Sequence, residues 1–256
     1  MMQTPLMAGQ VAIITGGAGA IGAAIALALG QSGARLALWD QNATALDLVA
    51  AEFSAQGIDC RTHAGDLTQE DQVEAAVAAT LAAFGRIDML VTATGISPRE
   101  DAITQPLANW QRSLDVNMTS VFLASRIAVR EMLARGIRGR IVHLGSIMGL
   151  SGGGLYPNLA YHATKGAVVN MTRAMACEWA PHGIRVNSVA PTWVDTPFIG
   201  ALKADPEAMR RIAEVTPLGR IAKPEEVAQG VVFLLGEQSS MITGHTLPID
   251  GGFLAK

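Results

Sequence analysis

Short apolar runs alternate along the whole chain with longer stretches whose apolar positions repeat at helical spacing. The run at 11–14 reads as a buried strand, and those at 35–40, 58–63, 87–91, 140–144, 184–190 and 245–249 read as further strands. Between them, 23–29, 41–56, 107–135, 160–181 and 225–236 read as helices, and a further helix capped by Thr68 runs to Phe84. Gly57, Gly85, Gly136 and Gly183 follow four of these stretches as stop signals. Residues 197–215 form a polar, partly helical insertion. The alternation predicts an α/β fold: a doubly wound parallel β-sheet of seven strands, helices on both faces, and a ligand beyond the carboxyl ends of the strands. With no repeat, linker or low-complexity segment, 1–256 reads as a single domain. Residues 1–7 are expected to be a flexible start, and 192–220 a loop insertion beside the ligand.

The first strand-to-helix junction carries the first chemical signal. Gly16, Gly17, Gly19 and Gly22 crowd between a β-branched strand and a run of helix formers. Such a junction turns free N–H groups and the positive end of a helix dipole toward whatever lies above it, which suits an anion. Gly17-x-Gly19-x-x-Gly22 fits the pattern that holds a dinucleotide pyrophosphate, although glycine turns also merely connect strands to helices. Asp40 ends the second strand 18 residues after Gly22, where a carboxylate can accept hydrogen bonds from ribose hydroxyls. It would repel a 2′-phosphate, and no Arg or Lys stands among Ala18, Gly19, Ala20, Gln41 and Asn42 to neutralise one. The expected cofactor is therefore NAD rather than NADP. Asp66, after the third strand, suits an adenine amino group and equally a turn before a helix.

Tyr161 and Lys165 carry the second signal. Positions i and i+4 share a helix face, which sets an ammonium near a phenol close to the start of a helix. A nearby cation and a helix N-terminus both favour the phenolate. Such a tyrosine can exchange a proton with an alcohol or a carbonyl. Ser146 follows the strand at 140–144, at the end where ligands bind, and can hold the reacting oxygen.

Composition narrows the field. Half the residues are apolar, 16% are charged and the net charge is −3, so no basic patch recommends nucleic acid or an anionic membrane. The first residues lack the features of a signal peptide, and no 18-residue stretch is apolar enough to span a bilayer. Cys60 and Cys177 stand without paired spacing and are expected to be buried thiols in a reducing cytoplasm. No histidine spacing supports a metal, so none is expected.

Taken together, these residues resemble the classical short-chain dehydrogenase/reductase family over about residues 8–254. The ordered motifs are Thr15-Gly16 to Gly22, Asp66-Leu67, Asn117, Ser146, Tyr161-x-x-x-Lys165, Pro191 to Thr196 and Asp250-Gly-Gly252. The resemblance implies a nicotinamide-dependent oxidoreductase on a single Rossmann-type domain, usually a tetramer. By it, Tyr161 is the general acid/base, Lys165 lowers its pKa and holds the nicotinamide ribose, and Ser146 orients the substrate oxygen. Asn117 holds a water on a proton relay through Lys165. Gly16, Gly19, Ala20, Ile21, Gly22, Asp40, Asp66, Leu67, Gly95, Tyr161, Lys165, Pro191, Val194 and Thr196 would touch the cofactor. The chain departs from the family at Ala20, where a glycine is usual, and at Thr92-Ala93-Thr94, where bracing amides are usual. It also departs at Thr192 after Pro191, and in a longer Ser146-to-Tyr161 loop.

Ser146, Met148, Leu155, Tyr156, Tyr161, Trp193 and Phe198 are candidates for the substrate wall, with Arg99 placed to meet an anionic or hydroxylated group; core filling explains the apolar ones as well. The leading expectation is an NAD-dependent dehydrogenase of a secondary alcohol, a sugar or polyol. The alternatives are a ketone or 3-oxoacyl reductase, and a non-catalytic nucleotide-sensing scaffold. Small and apolar faces on helices 107–135 and 160–182 suit a homotetramer.

Overall fold

The computed structural model describes residues 7–256. Seven strands form one parallel sheet: β1 Val11–Thr15, β2 Arg35–Asp40, β3 Cys60–Ala64, β4 Met89–Thr92, β5 Arg140–Leu144, β6 Arg185–Pro191 and β7 Thr246–Ile249. Their order is β3-β2-β1-β4-β5-β6-β7, so the chain reverses direction across the sheet between β1 and β4, the place where such folds bind ligands. The helices are α1 Ala20–Gln31, α2 Ala43–Ala55, α3 Glu70–Phe84, α4 Leu107–Leu114, α5 Ser120–Ala134, α6 Leu159–Trp179, α7 Gly200–Lys203, α8 Pro206–Val215 and α9 Pro224–Leu235.

The period of two along each strand divides the core. In β1, Ala12 and Ile14 pack with α1, α2 and α9, while Val11 and Ile13 pack with α3, α5 and α6. In β2, Leu36 and Leu38 take the first face and Ala37 and Trp39 the second. Each fully buried Ile or Leu contributes about 1.5–3 kcal/mol. Both faces are covered, which is why the strands read as continuous apolar runs rather than alternating ones.

Several expectations need correction. Of the segment expected to be flexible, 1–6 lie outside the described residues, but Met7 is 1% exposed and its N–H donates to the Ser32 carbonyl at 2.9 Å. The third strand, expected over 58–63, is β3 Cys60–Ala64 at one edge of the sheet, with Arg61 and Thr62 exposed. Thr68 does not cap α3, because Asp66 Oδ1 already accepts from its N–H at 3.0 Å and its hydroxyl at 2.8 Å, and the helix begins at Glu70. The helix expected over 107–135 is α4 and α5 joined through a π turn at Asp115–Thr119. The thiols are not both buried: Cys60 is half-buried and Cys177 exposed, and both are free.

Candidate active site

The carboxyl ends of the strands open into a cavity of about 530 Å³. One end is the β1–α1 turn. No side chain caps α1 at Gly19, and Gly19, Ala20, Ile21 and Gly22 line the cavity, so the first helical N–H groups remain available to an anion. A Cβ on Gly22 would stand 2.1 Å from the Gly16 carbonyl oxygen. Gly16 itself has φ +65°, and a Cβ there would meet the Ala93 backbone at 2.8 Å. Gly17 is tight as well, since its Cβ would meet Leu38 Cβ at 2.9 Å, so Gly16, Gly17 and Gly22 are the sterically required glycines and Gly19 is less constrained. Ala20 is the exposed first residue of α1, so its methyl costs no packing inside the fold.

Asp40 lines the same cavity. Its Oδ2 accepts from the Ala18 N–H at 3.3 Å and its Oδ1 from the Asn42 N–H at 3.0 Å, which fixes the carboxylate beside the glycine turn. Asp66 and Leu67 face it across the cavity wall, with Asp66 also closing its own turn onto Thr68. The bracing amides absent from 92–94 are replaced by hydroxyls. Thr94 Oγ1 donates to Thr15 Oγ1 at 3.0 Å, the Ala93 N–H donates to the same oxygen at 3.2 Å, and Thr92 pairs with His143 at 3.0 Å.

The other end of the cavity holds the proton chemistry. Ser146, Tyr161 and Lys165 line it together. Lys165 Nζ donates to the Leu144 carbonyl at 2.7 Å and lies 5.6 Å from the Tyr161 ring centre. Burial pushes the lysine down to about 8. The phenol is not made acidic, as its neighbour was expected to make it. Burial pushes Tyr161 up to about 12, outweighing the opposing hydrogen bond with Ser146, and Tyr156 adds to the rise. Both groups lose water, and the ammonium donates to the Leu144 carbonyl rather than to the phenol.

The side-chain amide of Asn117 is held from both sides. Its Oδ1 accepts from the Ile96 N–H at 2.8 Å, and its Nδ2 donates to the Ile96 carbonyl at 2.9 Å and to Thr164 Oγ1 at 3.1 Å. The amide is a brace between the loop after β4 and α6. That loop passes close to the lysine: a Cβ on Gly95 would lie 3.7 Å from Lys165 Nζ. Asn117 itself is fully buried.

Around the reacting groups stand Met148, Tyr156, Trp193 and Phe198, with Pro191, Val194 and Thr196 continuing the wall. Met148 and Trp193 belong to a small apolar cluster with Ile147, Ile199 and Ile212, so they line the cavity and fill core at once. Leu155 packs against that cluster and is not part of the wall, because Tyr156 stands in its place. Arg112 and Thr192 line the cavity but were not singled out for it. Arg112, Val116 and Ser120 fall on one stripe at intervals of four, a periodicity that the sequence does display. Thr192 shows only as a departure from glycine.

His143 lies directly behind this site, fully buried, with Nδ1 on Thr92 and Nε2 unpartnered among the described residues. Burial, reinforced by Lys165, lowers it to about 3. The folded imidazole stays neutral while the unfolded one gains a proton below its usual 6.5. Stability is therefore expected to fall as pH drops from about 6.5 toward 3. Urea midpoints across that range check this, and His143→Gln should flatten the slope.

A family model described as enoyl-(acyl carrier protein) reductase matches residues 16–254. The cis-4-hydroxycyclohexanecarboxylate dehydrogenase of Sinomonas cyclohexanicum is 39% identical over 249 residues, covering 96% of this chain and 97% of the relative. The galactitol 2-dehydrogenase (L-tagatose-forming) of Cereibacter sphaeroides is 39% identical over 245 residues, with 96% and 95% covered. Among solved structures, a gluconate 5-dehydrogenase from Burkholderia cenocepacia J2315 in complex with NADP and tartrate superposes with a TM-score of 0.93 at 30% identity, covering 99% of this chain and 98% of that one.

Proposed function

Because the chain belongs to the classical short-chain dehydrogenase/reductase family, we propose that it oxidises a secondary alcohol of the sugar or polyol kind with NAD as hydride acceptor. Membership makes it an NAD(P)-dependent oxidoreductase, which removes the non-catalytic scaffold from consideration. The observation that carries the fuller reading is a single cavity running from the uncapped turn at Gly19–Gly22 to Ser146, Tyr161 and Lys165.

The residues fit a dinucleotide. The glycine cradle would be filled by a Cβ, and the carboxylate of Asp40 is fixed where ribose hydroxyls would lie. A bound nicotinamide supplies the hydride acceptor. Tyr161 takes the proton of the alcohol, and Ser146 holds its oxygen. Lys165 keeps positive charge beside the phenol, and Asn117 holds the loop at Gly95–Ile96 against the lysine's side of the cavity. In the reverse direction the same groups reduce a ketone. A 3-oxoacyl reductase is the second reading, supported by 36% identity over 247 residues to the 3-oxoacyl-[acyl-carrier-protein] reductase of Synechocystis sp..

Asp40 supports NAD over NADP through charge repulsion of a 2′-phosphate. The wild type should reduce NAD with alditols at a higher kcat/KM than NADP, and Asp40→Ser should narrow that ratio at least about tenfold, the worth of roughly 1.4 kcal/mol. A parallel screen of alditols, ketoses and 3-oxoacyl thioesters with both cofactors measures this. Equal use of NADP by the wild type refutes the cofactor preference, and turnover of thioesters alone favours the second reading.

We further read the protein as a cytoplasmic homotetramer acting on small molecules, packed through helices 107–135 and 160–182, where Phe122, Leu133 and Leu159 stand exposed. No helix among the described residues is long and apolar enough to cross a membrane.

A further inference from the structure

Arg99 is not part of the cavity wall but stands against two residues of it, and it has no ion-pair partner among the described residues, whereas most exposed arginines do. Its guanidinium lies 4.8 Å from the ring centre of Tyr156, and Nη2 donates to the Phe198 carbonyl at 3.2 Å. Both of those residues line the cavity, and the Phe198 ring is 6.3 Å from that of Tyr161. The neighbouring carboxylate does not pair with it: Glu100 Oε1 accepts from Asn109 Nδ2 at 2.6 Å, and its Oε2 is buried with no partner among the described residues.

A guanidinium has five N–H donors in one plane. Stacking on Tyr156 holds that plane, and one donor is spent on Phe198, which leaves the fork able to meet a carboxylate in two parallel hydrogen bonds. The cation is already fixed, so little side-chain entropy is lost when the anion arrives. Of the two cations that line the cavity itself, Lys165 is committed to the Leu144 carbonyl, and Arg112 stands on α4. A single guanidinium suits a single negative charge better than a phosphate dianion.

From this geometry we infer that Arg99 is a subsite for a carboxylate at the far end of the substrate, so that the preferred alcohol is a hydroxy acid rather than a neutral polyol. The inference rests on the alcohol-oxidation reading and narrows its substrate class. The carbinol sits at Tyr161 and Ser146, and the carboxylate reaches outward to the arginine between Tyr156 and Phe198.

The test compares matched pairs with NAD in excess: an aldonate against the alditol of the same chain length, and 4-hydroxycyclohexanecarboxylate against its primary amide. The wild type is expected to favour the acid in each pair by at least tenfold in kcat/KM, mostly through KM. Arg99→Gln should cut the acid-to-neutral ratio at least tenfold, and Arg99→Lys, which keeps charge but not the planar fork, should cut it severalfold. The ratio within one variant cancels any general loosening of the loop. A wild type that prefers the neutral partner overturns the inference and leaves alcohol oxidation standing, as does a ratio untouched by either substitution. Failure to oxidise any member of either pair, or any alditol, overturns both. If Arg99→Gln does not fold, Arg99→Lys decides alone.

Discussion

Tyr161→Phe is expected to lower kcat for alcohol oxidation by at least about a hundredfold, the usual scale of a lost acid/base group. The substitution removes one oxygen from an enclosed position and leaves the ring, which packs with the cluster around Trp193 and faces Phe198 at 6.3 Å. Stability should therefore barely move, and the loss should be confined to turnover. Cofactor affinity should change little, because the glycine turn and Asp40 lie at the other end of the cavity. Stopped-flow hydride transfer and NAD binding by fluorescence, measured on the same preparation, separate the two. Near-wild-type turnover would sink the role assigned to the phenol.

The pH dependence follows from the same group. Oxidation needs the phenolate, and burial holds the free enzyme's phenol up at about 12, so the rate should climb with pH through the neutral range. Lys165, lowered to about 8, loses its charge over the upper part of that climb and should blunt it. The positive charge beside the phenol is thus strongest where the phenolate is scarcest.

How legible was this site in the sequence? The inner strands declared themselves because they are buried on both faces, and β2 and β5 match the apolar runs residue for residue. β3 begins two residues later than expected, because an edge strand with Arg61 and Thr62 outward shows only a weak apolar run. The i, i+4 spacing of Tyr161 and Lys165 gave the shared face, since helix geometry is local. Their mutual electrostatics were not legible. The Leu144 carbonyl that takes the ammonium is 21 residues away, and burial is a property of the assembled wall. The partners of Asn117 were hidden for the same reason: Ile96 and Thr164 lie on a loop and a helix that meet only in the fold. Arg99 showed only as a charge after the fourth strand, and its stacking on Tyr156 comes from a loop 57 residues further on.

Gly22→Ala carries the second large effect, because it acts on backbone rather than on a side chain that can move. The added methyl would lie 2.1 Å from the Gly16 oxygen and 2.9 Å from its carbonyl carbon. Rotamers offer no escape, so α1 must back away from β1. α1 also packs along α9, and Ile25, Ala26 and Leu29 are fully buried beneath it, so the shift spreads into the core. Overpacking of this kind costs about 1–3 kcal/mol. At about 2–4 °C per kcal/mol for a chain of this size, Tm should drop by several degrees. The larger loss is to NAD, because the same displacement tilts the N–H groups at Ala20 to Gly22 away from the pyrophosphate they are placed to hold. NAD affinity by calorimetry should weaken at least about thirtyfold, some 2 kcal/mol. Gly19→Ala is the comparator: its Cβ meets nothing nearer than 3.3 Å, so its Tm should fall far less. Equal stability losses at the two positions would show that the turn yields freely, and the cradle would then owe its shape to something other than the close approach of Gly22 to Gly16.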